Sequence, residues 1–199
     1  MWKCLAIVFC LIVPNLAAQA PVDIRGLSRN WTELGQPVGG GLLLNLDAGS
    51  VKVLPSDDGQ VRVRYTGTGD HDLTRVRLRF YPADNPAELR LSHSLHNNFG
   101  VEIQVPRASA LTLRMSAGEV LIQGVEGDKD LRVHAGQITV RVGDPSAYGP
   151  VSAAVWAGEV RPGPFGEAKE GLFRRFSYGG QGRYSLAAKV KAGEVIFQQ

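Results

Sequence analysis

The chain has 199 residues, and its 22 Lys and Arg against 19 Asp and Glu leave a formal net charge of +3. This length is typical of one domain, and so small a positive excess does not favour a nucleic-acid partner. The two cysteines, Cys4 and Cys10, stand at the start of the chain. The rest of the sequence therefore excludes disulfides, thiolate metal sites and cysteine nucleophiles.

Residues 1–20 have the order of features of a secretory signal peptide. Lys3 is followed by an apolar run from Cys4 to Val13 and then by small residues that end in Ala18-Gln19-Ala20. An apolar run of this length is too short to span a bilayer. The sequence therefore predicts an exported chain in the periplasm, the outer envelope or the medium, without a transmembrane segment after cleavage near residue 21.

Residues 21–40 are predicted to lead into the main domain. The glycines of PVGGG, at 37–41, precede an alternating strand pattern and not a helix, which indicates a flexible entry. We therefore assign residues 41–199 to one β-strand repeat domain.

A phrase built around Ala-Gly recurs along this domain. SAGEVLI at 116–122 is nearly repeated as KAGEVIF at 191–197, and three further copies share the central pair. The pairs are Ala48 and Gly49, Ala117 and Gly118, Ala135 and Gly136, Ala157 and Gly158, and Ala192 and Gly193. Apolar residues alternate with polar ones before each Gly, and the alternation resumes two residues after it. Period-two alternation predicts half-buried β-strands on both sides of a corner.

The spacing of the copies favours stacked turns. Successive corner glycines are 69, 18, 22 and 35 residues apart, and intervals near 20 suit one turn of a β-solenoid. Gly can take positive φ at a corner, and identical corners can stack from turn to turn. We therefore predict an all-β domain, a parallel β-solenoid or β-helix-like repeat, with a sandwich of hairpins as the alternative. The strand-rich stretch between the first two copies forms either degenerate turns or an antiparallel N-terminal flank.

The order of motifs in VEIQVPRASALTLRMSAGEVLIQGVEGDKDLRVHAGQITVRV, residues 101–142, carries a family resemblance. A V-P strand end is followed by a strand, a small-Gly-acid corner, a second strand, a G-x-x-G link and another strand with the same corner. This segment resembles the bacterial putative-adhesin family of β-strand repeats, a domain family of unknown function. The resemblance implies an all-β, solenoid-like domain of exported or envelope proteins, with no catalytic residues to carry over. The insertion at 162–184 departs from the family's pattern.

Catalytic and metal-binding patterns are weak. Glu119, Glu159 and Glu194 follow the corner Gly in three copies, but Ser50 and Gln137 interrupt the series, so we interpret these positions as solvent-facing. The remaining acids lie mostly in turn-forming links such as PSDDG and GVEGDKD, and the four histidines show no metal-binding spacing. We therefore predict no enzymatic activity, no metal and no cofactor; a β-helix enzyme acting on polysaccharide is the alternative.

A row of arginines is the first candidate binding surface. These residues alternate with apolar ones and therefore share one strand face: Arg62, Arg64, Arg75, Arg77 and Arg79. If their strands pair, the row forms a basic patch suited to an anionic envelope glycan, lipid headgroups or an acidic protein. The alternative is a solvated face that prevents aggregation.

The segment 163–184, GPFGEAKEGLFRRFSYGGQGRY, is the second candidate. It lengthens the interval between Gly158 and Gly193 by roughly 15 residues beyond one solenoid turn, which predicts a loop outside the stack. Its aromatic and basic residues, Phe173, Arg174, Arg175 and Phe176, either anchor a partner or cover the open solenoid end. We expect the covering role.

These features together predict an exported, non-enzymatic envelope domain that acts as a scaffold or an adhesin-like binding module. A structural subunit that self-associates edge to edge is a further alternative.

Overall fold

The computed structural model describes residues 20–68, 72–92, 98–167 and 169–199. The signal peptide predicted at residues 1–20 lies outside this range except for its last residue. Within the described residues the chain forms twelve β-strands, three short 3₁₀ turns and no α-helix. The strands are β1 (Val22–Arg25), β2 (Thr32–Gly35), β3 (Gly41–Ser56), β4 (Val61–Tyr65), β5 (Arg77–Tyr81), β6 (Ala87–Ser92), β7 (Gly100–Pro106), β8 (Ala110–Gln123), β9 (Lys129–Arg141), β10 (Tyr148–Arg161), β11 (Lys169–Gly179) and β12 (Tyr184–Gln198). This part of the chain contains no helix long and apolar enough to cross a membrane.

The long strands bend at the Ala-Gly pair, and β8 illustrates how. Leu113 and Met115 are buried before the corner, and Val120 and Ile122 are buried after it. Met115 and Val120 are five residues apart, which would place them on opposite faces of a regular strand. The corner therefore shifts the alternation by one residue, and both halves of the strand face the same core.

Five long strands run parallel in the spatial order β3, β8, β9, β12, β10, and we call them the ladder. Their corners are in register: Gly49 pairs with Gly118, Gly118 with Gly136, Gly136 with Gly193, and Gly193 with Gly158. Neighbouring corners are thus one strand spacing apart, ~4.8 Å. The prediction that the corners stack is confirmed.

Glycine is required at these corners because the backbones approach closely. Gly136 has φ +133°, a conformation that residues with a side chain rarely adopt, and a Cβ there would collide with the carbonyl oxygen of Gly118. At the first end of the ladder, the ring and carbonyl of Phe99 cover Gly49. At the other end, Gly171 of β11 pairs with Gly158.

An antiparallel flank precedes the ladder. Strand β3 pairs in parallel with β6 through residues 42–46 and with β7 through residues 50–56, on the two sides of its corner. Beyond them, β5 and β1 extend the first side, and β4 and β2 extend the second, all by antiparallel pairing. Residues 21–40, treated above as a lead-in, therefore contribute two strands to the same sheet.

The all-β prediction is confirmed, but the sheet is mixed and does not stack in chain order. Strand β12 lies between β9 and β10, and β11 pairs antiparallel with the outer side of β10. The physical reason is that the chain after β10 first turns back as β11 and only then returns to fill the position beside β9. A parallel solenoid across the whole domain is thus not what the structure contains.

One core joins the flank and the ladder. Phe80 and Phe99 from the flank, Leu113 and Ile122 from β8, and Phe197 from β12 are all almost fully buried and belong to one cluster. Burial of this continuous apolar surface is the main stabilising contribution and leaves outward-facing side chains free for other roles.

Candidate functional site

The structure does not bring the predicted arginine row together. Arg62 and Arg64 lie on β4, whereas Arg77 and Arg79 lie on β5, and these strands extend different sides of the corner of β3. Arg75 belongs to a short 3₁₀ turn, Leu73–Arg75, before β5. The sequence could not show this because the pairing partners are distant in the chain.

Most of these arginines also face a carboxylate. Three pair with the acid directly across the strand pair: Arg62 with Glu33, Arg64 with Glu102, and Arg79 with Asp23. Arg62 also pairs with Asp58, and Arg75 pairs with Asp72. Arg77 differs, since it lies opposite Arg25. The row is therefore largely neutralised.

Glu102 shows how tightly one of these pairs is held. Its side chain is 13% exposed, and Arg64 Nε donates to its carboxylate at 2.8 Å while Lys52 Nζ lies 3.4 Å away. Burial disfavours the ionised form, but the Arg64 and Lys52 interactions outweigh burial and hold the pKa of Glu102 below its usual range. The guanidinium of Arg64 also lies over the Trp31 ring at 4.4 Å.

The segment 163–184 is mainly a strand, which corrects the predicted loop. Residues 163–165 form a 3₁₀ turn, and β11 then pairs along β10 as an edge strand. Phe165 and Phe176 are buried, and the Phe165 ring packs edge-on against Phe197 at 6.0 Å between centroids. These two rings therefore add to the core at this edge of the sheet, and the covering role expected of the whole segment stays a prediction.

Phe173, in contrast, points into solvent. It is 69% exposed and stacks on Trp156, which is 56% exposed, with 5.6 Å between the ring centroids and 28° between the planes. Phe173 also has φ +54°, a left-handed conformation that costs a bulky residue roughly 1–3 kcal/mol. Because the Phe173 ring is exposed, its burial does not offset this conformational cost. We therefore interpret the Trp156–Phe173 stack as a surface for contact with a partner.

A groove of about 600 Å³ begins at this stack and crosses the ladder on the side before the corners. Two rows of side chains line it, and most of these side chains are basic. Four residues before the corner glycines stand Arg114, Arg132 and Lys189, on β8, β9 and β12, and Arg175 of β11 continues their row. Two residues before the glycines stand His134, Lys191 and Trp156. We call this feature the cationic groove.

The cations of the groove are only partly neutralised. Asp130 contacts Arg114 at 3.0 Å and Arg132 at 3.1 Å. Burial opposes the ionisation of Asp130, but these two arginines outweigh it and lower its pKa. Among the described side chains, no carboxylate lies within ion-pair distance of Lys189, Lys191, Arg174 or Arg175. Positive charge therefore concentrates in a concave surface.

The side after the corners is more acidic. Glu119, Gln137, Glu194 and Glu159 occupy successive strands in register. Arg161 binds Glu159, and the described residues contain no group of three or more His, Cys, Asp or Glu side chains arranged to hold a metal ion. His71, His93, His96 and Asp70 lie outside the described residues.

Lys129, at the start of β9, is a buried cation. It is 2% exposed, and its Nζ donates to the Gly127 carbonyl at 2.9 Å and to the Tyr148 hydroxyl at 2.8 Å. Burial lowers the pKa of Lys129 to about 8, against the attraction of Asp128 and Glu126. Burial also raises the pKa of Tyr148 to about 12, with contributions from Tyr184 and Glu126. These hydrogen bonds hold the loop between β8 and β9 against Tyr148, the first residue of β10.

The comparisons with known proteins concern the fold. No protein-family model matches the sequence, and no curated protein matches it significantly. The fold is similar to the crystal structure of a putative cell adhesion protein from Clostridium sporogenes, with a TM-score of 0.51 and 13% sequence identity over 90% of this chain and 100% of that chain. The likeness concerns the fold alone and is in keeping with the all-β domain that the resemblance of residues 101–142 implies.

Proposed function

We propose that this chain is an exported, non-enzymatic module of the cell envelope that binds an anionic partner in the cationic groove. The observation that carries the proposal is the row of basic side chains beside the exposed Trp156–Phe173 stack. Aromatic residues with basic neighbours are the residue types that dominate binding energy at interfaces. The volume of the groove lies in the range of ligand-binding clefts.

The remaining surfaces favour this assignment over the alternatives. Four of the five arginines of the predicted row in the flank already pair with carboxylates, so they offer a ligand less unpaired charge. In the groove itself Asp130 is held by two arginines, which leaves it acceptor-only and unsuited to general acid catalysis. The fold is similar to that of a putative cell adhesion protein, a fold-level analogy that favours a binding role.

A charge reversal tests the proposal. The variant Lys189→Glu/Lys191→Glu and a control, Arg25→Glu/Arg141→Glu, change the net charge equally, and only the first alters the groove. Binding to immobilised acidic and neutral polysaccharides would be measured by interferometry. We expect the wild type and the control to bind the acidic probe and the groove variant to lose at least tenfold in affinity. Equal losses in both variants, or no binding of any anionic probe by the wild type, would refute the proposal.

The export component has a separate test. Mass spectrometry of the protein recovered from a bacterial expression culture should find an N-terminus near Pro21 in the periplasmic or secreted fraction. Retention of Met1 in a membrane fraction would contradict export and would leave the groove assignment unaffected.

A further inference from the structure

We infer that the partner of the cationic groove is a linear acidic polysaccharide that lies across the strands, an inference that rests on the proposed function. The first observation is the direction of the basic row. Arg114 pairs in register with Arg132, and Arg132 pairs with Lys189, so three cations follow one another at the strand spacing of ~4.8 Å. The row runs perpendicular to the strands.

The row has a gap and then resumes. Lys189 pairs with Ala154 of β10, and Ala154 pairs with Arg175 of β11. From β8 to β11 the row therefore spans four strand spacings, about 19 Å. The small Ala154 side chain lowers the floor of the groove beside the rings of Trp156 and Phe173, and this leaves room for one bulky unit of a ligand against the exposed aromatic face.

The density of charge along the polymer is compatible with this class. A glycan with one carboxylate on each sugar carries one negative charge per ring, but successive rings of a linear glycan are rotated about the glycosidic bonds, so consecutive carboxylates do not all point to one face. An extended acidic peptide also presents side chains on one face only at every second residue, about 7 Å apart. The charge spacing therefore admits both polymers, and polyaspartate is the probe that separates them.

The aromatic stack points to the same class. A single-stranded nucleic acid is usually held by several separate aromatic platforms, one for each stacked base. Here the two rings lie against each other, which leaves one platform for a row of four cations. An apolar C–H face of a sugar ring at one end of the chain satisfies that platform, and the carboxylates of the following sugars reach Lys189, Arg132 and Arg114.

Galacturonate oligomers of two to ten sugars test this inference, with binding measured by titration calorimetry and by Trp156 fluorescence. We expect affinity to rise at least tenfold from the dimer to about the pentamer and then to level off, since the row spans about four strand spacings. Arg114→Gln, at the end of the row farthest from the aromatic stack, should reduce the pentamer affinity several-fold more than the dimer affinity. The fluorescence change should be lost in Trp156→Phe, and Arg25→Glu/Arg141→Glu should behave like the wild type.

Three further probes separate this inference from the proposed function: polyaspartate, single-stranded DNA and vesicles containing phosphatidylglycerol. If one of them binds in a manner that Lys189→Glu/Lys191→Glu abolishes while galacturonate oligomers do not bind, the acidic-glycan inference is overturned and the proposed function stands. A dimer that binds as tightly as an octamer overturns the alignment across the strands. If no anionic probe binds, both proposals fail.

Discussion

The antiparallel flank and the parallel ladder differ in how their positive charges are paired. In the flank, Arg62, Arg64 and Arg79 each face an acid on one neighbouring strand, although Arg79 also lies opposite Arg90 on the other. In the ladder, Arg132 lies between Arg114 and Lys189. The flank strands are unrelated sequences that can complement one another, whereas a parallel stack of similar repeats places equivalent positions side by side. A charge that recurs at one repeat position therefore accumulates into a row.

This difference has an energetic consequence. Like charges directly opposite each other destabilise a sheet, whereas opposite charges stabilise it by roughly 0.2–1 kcal/mol per pair. The shared core stabilises both regions, but the ladder depends more on its stacked corners and the flank gains more from its cross-strand ion pairs. The four predictions below test that division, from the largest expected effect to the smallest.

The corner of β9 should be the most sensitive position. Gly136→Ala places a Cβ against the Gly118 carbonyl in a backbone conformation that disfavours any side chain. We expect a loss of at least ~4 kcal/mol in the free energy of unfolding, or failure to fold. Urea denaturation measures the loss.

Gly143→Ala is the matched control, because Gly143 has φ +68° and open space around it. It should cost about 1 kcal/mol, the cost of a left-handed backbone alone. If the two variants lose equal stability, close stacking does not hold the ladder together.

Two aromatic residues of the edge strand β11 should differ in their effects on stability and on binding. Phe176→Ala removes a buried ring and should cost about 3 kcal/mol. Phe173→Ala removes an exposed ring and should change stability by less than ~0.5 kcal/mol while weakening capture of the acidic polysaccharide. Melting curves and binding curves on the same preparations give both values. A large stability loss in Phe173→Ala would assign the stack to the fold alone.

The buried Lys129 should make stability depend on pH. Its pKa falls to about 8 in the folded state, so the unfolded chain binds more protons between pH 8 and 10 and stability rises with pH there. The rise should be on the order of 2 kcal/mol. Above pH 10 stability should fall again, because the raised pKa of Tyr148 keeps that hydroxyl protonated in the folded state after the unfolded chain has lost the proton.

Urea titrations at several pH values check this maximum. The variant Lys129→Met should abolish the rise between pH 8 and 10 without removing the decline above it. A rise of equal size in Lys129→Met would assign it to another group.

The smallest effect compares one cation from each region. Arg64→Ala leaves the largely buried Glu102 with only Lys52 and should cost about 1–2 kcal/mol. Lys189→Ala removes a charge without a described partner and should be neutral within ~0.5 kcal/mol or slightly stabilising. Equal losses, measured as shifts of the denaturation midpoint, would show that the groove contributes to folding as the flank does.

The repeat allowed the corners and their stacking to be predicted, because alternation and the Ala-Gly pair are local features. The position of β12 could not be predicted, since intervals between glycines do not reveal which strand lies beside which. The strand β11 was missed because the left-handed Phe173 interrupts its alternation. The prediction that the arginine row forms a basic patch was wrong for a related reason. Its acidic partners Asp23, Glu33 and Glu102 lie on other strands, and the sequence does not show which strands pair.

The cationic groove was partly visible in the aligned repeats. Arg114, Arg132 and Lys189 all stand four residues before a corner glycine. Alignment alone, however, would place β10, with Ala154 at this position, next to β9. The continuous row arises only because β12 is inserted between them.

The insertion of β12 also dictates when the molecule can be completed. During synthesis β9 and β10 emerge well before residues 184–198, yet the strand that joins them is formed by those residues. Until then β9 and β10 each keep an open edge, and open edges recruit strands of other molecules. Formation of β12 therefore competes with pairing between the open edges of neighbouring chains. A chain truncated before residue 184 lacks β12, so its β9 and β10 edges stay open to intermolecular pairing.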